Sequence, residues 1–259
     1  MKLEDKLVVV TGASQGIGRQ IALSCAAEGA DVVLAARSVD AMVSVAAEIE
    51  NSGRAAQVVE TDLTDRASVE ALGRAVLDRW DRVDVLVNNS GIGGPAAPIW
   101  EVPPDEWDET LAVNVSGIFS MCQVFVPAMI ECGDGSIVNI GSIGGKRPLL
   151  NRAAYTTSKA ALIGLTRSLA EELGPHGIRA NLISPGAVEG PRIEWVFEQQ
   201  AIAQNRSVEE IRTQFEAGAP LRQLVRAEDI AKMVVFLGSE DAARITGADM
   251  NVTAGMVMY

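Results

Sequence analysis

Short runs of apolar, β-branched residues recur along this chain, each followed by a longer stretch with helical periodicity. The runs cover 7–10, 32–36, 55–59, 83–87, 136–140, 178–183 and 249–252. The runs at 7–10 and 32–36 are apolar at every position and most of the others largely so, the pattern of strands buried on both faces. The stretches between them, 16–28, 39–51, 65–80, 105–130, 153–173 and 227–238, place apolar residues three and four apart. Strands alternating with helices predict an α/β domain built on a parallel sheet covered on two sides. No low-complexity linker and no repeat divides the chain, so residues 1–259 read as a single domain.

One segment departs from this rhythm. Between Pro185 and Ala227 the pattern offers no strand, but two short helices near 191–203 and 207–217. Trp195, Phe197 and Phe215 concentrate large aromatics there. Long excursions inside compact domains are commonly lids or binding loops, and a substrate loop over about 188–218 is expected. The plainer alternative is a helical hairpin packed on the sheet edge.

Composition narrows the functions this fold can serve. Lys plus Arg minus Asp plus Glu is 22 − 34 = −12, which argues against nucleic acid or an anionic membrane as partner. No uninterrupted apolar run approaches the ~20 residues of a membrane span. The start, Met1-Lys2-Leu3-Glu4-Asp5-Lys6, has no apolar signal core. A cytoplasmic protein is therefore expected. Cys25, Cys122 and Cys132 lack metal-type spacing and read as reduced, mostly packed thiols. The one histidine, His176, lies in a turn-like Gly-Pro-His-Gly. No metal site is expected, and a metal-dependent alcohol dehydrogenase is disfavoured.

Val8-Val9-Val10-Thr11-Gly12-Ala13-Ser14-Gln15-Gly16-Ile17-Gly18 is a buried strand entering a glycine-rich turn, with a helix behind it. Gly12 would permit a tight turn, Gly16 close approach of a diphosphate, and Gly18 close helix–strand packing. A diphosphate would rest on free N–H groups at the helix start. The second chemical signal is Tyr155 with Lys159 four residues on, one helix face apart. An ammonium beside a phenol favours phenolate and lowers the phenol pKa, giving an acid/base useful near neutrality. By itself this pair is equally compatible with a half-buried Tyr beside a surface Lys.

Thr11–Gly18, Asn88-Asn89-Ser90-Gly91, Asn114, Ser142 and Tyr155-x-x-x-Lys159, with Pro185-Gly186, resemble the short-chain dehydrogenase/reductase family in order and spacing. The resemblance spans essentially the whole chain. It implies a Rossmann fold with a doubly wound, seven-stranded parallel sheet and a nicotinamide dinucleotide bound at its edge. It implies Tyr155 as proton donor or acceptor and Lys159 as the group that tunes it and holds the nicotinamide ribose. Ser142 would hydrogen-bond the substrate oxygen, and Asn114 would hold a water linking Lys159 to solvent. Gly12, Ser14, Gln15, Gly16, Ile17 and Gly18 would form the diphosphate cradle. Asp62 and Leu63 would meet the adenine, and Asn88, Asn89, Ser90 and Gly91 would pack along the adenine-side ribose. Pro185, Gly186 and the backbone at Val188 would flank the nicotinamide, because Gly190 stands where the family often has a carboxamide-holding threonine.

The second strand ends Ala36-Arg37-Ser38. By the family pattern Ala36 replaces an acid that selects NAD, while Arg37 and Ser38 suit a 2′-phosphate. NADP(H) is expected over NAD(H), although Gln15 stands where many NADP-preferring members carry a second basic residue. The expected substrate is a free small alcohol or ketone such as a polyol, sugar or hydroxy acid. The alternatives are a 3-oxoacyl-carrier-protein reductase and a non-catalytic dinucleotide-binding regulator. Against the first, Ala128–Asp134 is acidic where those reductases dock their carrier; against the second, Tyr155 and Lys159 are both present. Lys146-Arg147 would place a basic pair near the pocket mouth. A homotetramer is expected from the family, with the apolar end Met256-Val257-Met258-Tyr259 at a subunit contact.

Overall fold

The structure, a computed structural model, describes residues 1–259. Seven strands form one sheet: β1 (Leu7–Thr11), β2 (Asp31–Ala36), β3 (Ala56–Glu60), β4 (Val85–Asn88), β5 (Gly135–Ile140), β6 (Ile178–Pro185) and β7 (Asp249–Val252). Their order is β3-β2-β1-β4-β5-β6-β7, and every pairing is parallel. This is the doubly wound Rossmann arrangement. The order reverses beside β1, and ligands of such sheets bind at that switch point, beyond the carboxyl ends of the strands.

The unbroken apolar runs follow from burial on both faces. In β1, Val8 and Val10 join a core with α1 (Gly16–Ala27), α2 (Val39–Asn51) and α9 (Ala227–Gly238). Leu7 and Val9 point the other way, into a core with α3 (Arg66–Trp80), α5 (Gly117–Cys132) and α6 (Ala153–Leu173). At about 25 cal/mol per Å² of apolar surface removed from water, these two layers dominate the stabilisation.

The stretch expected as one helix over 105–130 is three pieces: α4 (Pro104–Leu111), a π turn (Ala112–Ser116) and α5. The wide turn carries Asn114, fully buried, whose side chain bonds outside the helix. π turns absorb such a distortion and cluster at functional sites. Gly117 follows because a Cβ there would lie 2.7 Å from Leu63 Cβ. The run Pro104–Cys132 has a mean hydropathy of 1.6 in its most apolar window, enough in length and composition to cross a bilayer. Here Met121, Phe125 and Met129 from that run are packed against the sheet.

The excursion after β6 is α7 (Pro191–Gln204) and α8 (Val208–Gly218), with a core of its own around Phe197, Ile193 and Ile211. Phe197 and Phe215 meet edge to face at 5.1 Å. Ser207 and Glu210 form a capping box that fixes where α8 starts. A parallel bridge, Val188 to Val225, ties the excursion to the body.

Two expectations change. Lys146 is not a free charge at a pocket mouth: its side chain is 8% exposed and pairs with Asp249 at 2.9 Å. It also donates to Asn251 Oδ1 and the Tyr259 carbonyl, so it fastens the C-terminus to β7. The segment Ala128–Asp134 lies at the start of β5, whereas Ser142 follows its end. Six residues at ~3.3 Å each separate them by roughly 20 Å, and Lys6 faces Asp134 at 3.5 Å. Its acidity therefore says little about what reaches Ser142.

Candidate active site

The turn after β1 is shaped by two left-handed glycines, Gly12 (φ +65°) and Gly16 (φ +55°), where a Cβ would be strained. A Cβ on Gly18 would lie 2.1 Å from the Gly12 carbonyl oxygen, so helix and turn touch backbone to backbone. A Cβ on Gly16 would meet nothing within 4 Å, so that side of the turn is open. Gln15 makes no side-chain cap, and the first turn of α1 holds no acid. Unpaired N–H groups beside open space fit a dinucleotide diphosphate. Ser14 and Ile17 flank this opening, half-buried.

Thr11, Asn89 and Ser90 lock the turn to β4. Asn89 Nδ2 donates to the Thr11 carbonyl at 2.9 Å, and the Asn89 and Ser90 N–H groups donate to Thr11 Oγ1 at 3.0 Å each. Asn88 departs from expectation: it is fully buried and donates to Asn139 Oδ1 at 2.9 Å, inside the sheet. The alternation of a strand sends consecutive side chains to opposite faces, so Asn88 and Asn89 cannot share a role. Gly91 also has a packing reason to be small. A Cβ there would press on Asn114 Oδ1 at 3.1 Å and Lys159 Nζ at 3.3 Å.

At the adenosine end, Arg37 and Ser38 are exposed beyond β2. Asp62 lies near Arg37, and its carboxyl is held below the usual range, chiefly by hydrogen bonds from the Thr64 N–H and hydroxyl. Leu63 is half-buried beside it. At the other end, Pro185 closes β6 and the Gly186 N–H donates to the Val252 carbonyl. The bridge at Val188 runs through the neighbouring Ala187 carbonyl and Glu189 N–H. Alternation therefore turns Val188's own N–H and carbonyl to the opposite side, a donor–acceptor pair suited to a carboxamide.

Tyr155 and Lys159 stand on α6, as their spacing predicted. Ser142 caps the short turn after β5, its Oγ accepting from the Gly144 N–H at 2.9 Å. This turn seats on α6 because Gly145 has no side chain; a Cβ would lie 2.8 Å from the Ala160 nitrogen. Asn114 Oδ1 accepts from the Ile92 N–H at 2.8 Å, and its Nδ2 donates to the Ile92 carbonyl and to Ser158 Oγ. Both amide hydrogens are thus in use, which leaves one lone pair of Oδ1 for a water. Lys159 is buried and donates to the Ile140 carbonyl at 2.8 Å.

Sequence reasoning missed two arginines at this centre. The guanidinium carbon of Arg152 lies 5.2 Å from the centre of the Tyr155 ring, and that of Arg192 lies 5.4 Å from it. Burial alone would lift the phenol pKa. Arg192, then Lys159, a Ser142 hydrogen bond and Arg152 outweigh it and leave the phenol lowered. Burial also pulls Lys159 down, to about 8, against the pull of Tyr155. Arg152 is close to Tyr155 in the chain, yet it is the N-cap residue of α6 with non-helical backbone, so helix spacing did not place it over the ring. Arg192 was not legible, because its approach depends on how the excursion folds back.

These features define a dinucleotide-binding oxidoreductase centre, and comparison with known proteins agrees. A family model described as enoyl-(acyl carrier protein) reductase matches residues 12–257. Sorbitol dehydrogenase of Cereibacter sphaeroides is 38% identical over 256 residues, covering 98% of each chain. NAD+-bound xylitol dehydrogenase superposes with a TM-score of 0.95 at 32% identity, over 98% of this chain and all of its own. A variant of the actinorhodin polyketide ketoreductase, solved with NADPH, gives 0.93 at 34% identity, over 98% of both chains.

The chain belongs to the short-chain dehydrogenase/reductase family. It is an oxidoreductase that interconverts alcohols and ketones with a nicotinamide dinucleotide cofactor.

Proposed function

We propose that this enzyme acts on a free small secondary alcohol or its ketone, prefers NADP(H), and uses Tyr155 as its acid/base. The single observation behind the chemistry is the cluster at the carboxyl end of β5 of half-buried Tyr155 and Ser142 with buried Lys159. The dinucleotide, when bound, supplies or accepts the hydride. Reduction of one carbonyl also needs one proton, which the Tyr155 hydroxyl gives to the carbonyl oxygen. Oxidation reverses this, with the phenolate taking the proton from the alcohol.

The Ser142 oxygen accepts from the Gly144 N–H, and its O–H, which meets the Tyr155 oxygen in the free protein, turns to the substrate oxygen as charge builds there. Lys159 keeps its remaining N–H donors for the nicotinamide ribose. Asn114 acts as a positioning residue: its amide holds the loop at Ile92 against α6, with one lone pair for a water on the path to solvent. Gly12, Ser14, Gln15, Gly16, Ile17 and Gly18 receive the diphosphate. Asp62 and Leu63 take the adenine, Asn89, Ser90 and Gly91 line the crevice between, and Pro185, Gly186 and Val188 flank the nicotinamide.

The NADP(H) preference rests on Arg37, an exposed guanidinium at the end of β2 with no carboxylate within ion-pair distance. A free substrate is favoured because α7 folds down over the site. Arg192 donates to the Gly91 carbonyl and Gln200 to the Leu150 carbonyl, which narrows access for a carrier-borne chain. The carrier-linked ketoreductase reading keeps support from the polyketide relative. Matched free and carrier-bound 3-oxo substrates separate the two. Three unpaired thiols, Cys25 and Cys122 buried and pushed up to about 12 by burial and Cys132 exposed, suit a reducing cytoplasm. A homotetramer is in keeping with Phe119 and Ile130, exposed on α5; a monomer in sedimentation equilibrium would refute it.

The decisive experiment is Tyr155→Phe. Loss of general acid/base catalysis is worth about 10²–10⁴ in rate, so turnover should fall by that factor while NADPH binding persists. Near-native turnover would reject the mechanism.

A further inference from the structure

Arg152 is 3% exposed. Its guanidinium lies between two rings, 5.2 Å from the centre of Tyr155 and 4.8 Å from that of Trp195. One hydrogen bond holds it, from Nη2 to the Gly93 carbonyl at 2.8 Å. Nε and Nη1 are buried with no partner. A guanidinium has five N–H donors, so most of this fork is unused. Buried donors are normally satisfied, and a buried charge is normally paired.

Neither Arg152 nor Arg192 joins any of the chain's ion pairs. The chain has 34 acidic residues against 22 basic ones, so a missing counter-charge is not a shortage of acids. Glu194, two residues from Arg192, is turned away to Arg212 at 2.5 Å. Two guanidiniums therefore converge on the acid/base tyrosine with nothing negative between them. A structural arginine would have its carboxylate. An arginine awaiting an anionic ligand would not.

We propose that Arg152, seconded by Arg192, seats a carboxylate of the substrate, which makes that substrate a short hydroxy acid or oxo acid. This deepens the alcohol/ketone reading and rests on it. Planar guanidinium and carboxylate match donor for acceptor, and charge-assisted pairs are roughly twice as strong as neutral ones. The short distance from Arg152 to the Tyr155 ring places the carboxylate a few bonds from the reacting carbon. Trp195, 37% exposed on the first turns of α7, covers the fork in the free protein. It shifts when the acid enters and closes the site over it. Fixing one end of the substrate sets which carbon faces Tyr155, so this contact also governs regiochemistry.

The test uses acetoacetate and laevulinate, each against its methyl ester and amide, with NADPH and NADH. The acids should exceed their neutral partners about a hundredfold in kcat/KM, mainly through KM. Arg152→Met should erase that preference, in line with the cost of unpairing a buried charge contact. Arg152→Lys should restore part of it, and Arg192→Met, at an exposed position, should weaken it without endangering the fold.

A second readout needs no turnover. Trp195 fluorescence, isolated by difference from Trp195→Phe, should respond to laevulinate in the wild type and in Tyr155→Phe. The response should weaken at least tenfold in Arg152→Met and be absent for the methyl ester. Equal responses to acid and ester, or an unchanged response in Arg152→Met, would overturn the proposal whatever the rates show. Acid binding by fluorescence with no turnover of any carbonyl would instead overturn the oxidoreductase reading and leave the carboxylate site standing. Turnover of neutral ketones with no acid preference and no fluorescence response would do the reverse.

Discussion

The cofactor side of this molecule and its substrate side are built from different materials. From β1 to β4 the site is made of backbone. Gly12 and Gly16 supply left-handed turns, Gly18 lets helix and turn touch, and Thr11 with Asn89 clamps the result. From the end of β5 onward the site is made of side chains reaching across from separate elements, with Arg192 on Gly91 and Arg152 between Tyr155 and Trp195. A diphosphate is shared by both nicotinamide dinucleotides, so its cradle needs shape and N–H groups. A substrate is particular, so its walls need chemistry that differs between relatives.

The sharpest way to break this contrast is to add one methyl group on the cofactor side. Gly18→Ala places Cβ 2.1 Å from the Gly12 carbonyl oxygen and 2.5 Å from Asn89 Nδ2. The first is backbone and the second is held by its bond to the Thr11 carbonyl, so the turn must open. A loss of about 3 kcal/mol or more is expected, the upper range for overpacking. Thermal unfolding and an NADPH titration should both show it. The matched control is Gly16→Ala, where space is open. It should lose about 1–2 kcal/mol from its positive φ, yet lose dinucleotide affinity more than Gly18→Ala loses it per unit of stability. Equal behaviour of the two variants would mean that the turn is not a shaped cradle.

That contrast also explains what the amino-acid order disclosed. All seven strands and both helices of the excursion were legible, because each is announced by local periodicity. The helix from 105 to 130 was read as unbroken because a π turn is set by where the Asn114 amide finds partners, at Ile92 and Ser158. The same limit hid the Lys146–Asp249 pair and turned Asn88 into the sheet, against expectation. Tyr155 and Lys159 were legible since four residues on a helix fix their neighbours. Arg192 approaches from 37 residues downstream (192 − 155) on a separate helix, and no local spacing encodes that.

Arg37 tests whether the cofactor side has any side-chain specificity of its own. Arg37→Asp removes a cation and adds an anion at the exposed end of β2. The ratio of NADPH to NADH efficiency should fall about ten- to a hundredfold, the scale of one or two charged contacts. Steady-state rates with both cofactors measure it directly. An unchanged ratio would confine cofactor choice to the backbone cradle, and Arg37 would be a surface charge beyond a strand end.

Arg192 tests the substrate side in the same way, through pH. Its charge is the largest influence opposing burial at Tyr155, ahead of Lys159. Alcohol oxidation requires the phenolate, so its rate rises with pH through the phenol pKa, which lies below the ordinary value near 10. Removing a nearby cation disfavours the phenolate and raises that pKa. In Arg192→Met the rising limb of kcat against pH, measured with a neutral alcohol, should therefore move to higher pH. The reductive rate, which needs the protonated phenol, should persist to higher pH in step with it. Arg192→Lys, which keeps the charge, should restore both limbs. If the limbs stay in place in Arg192→Met, Lys159, Ser142 and Arg152 set the phenol without it, and the excursion contributes walls without tuning the chemistry.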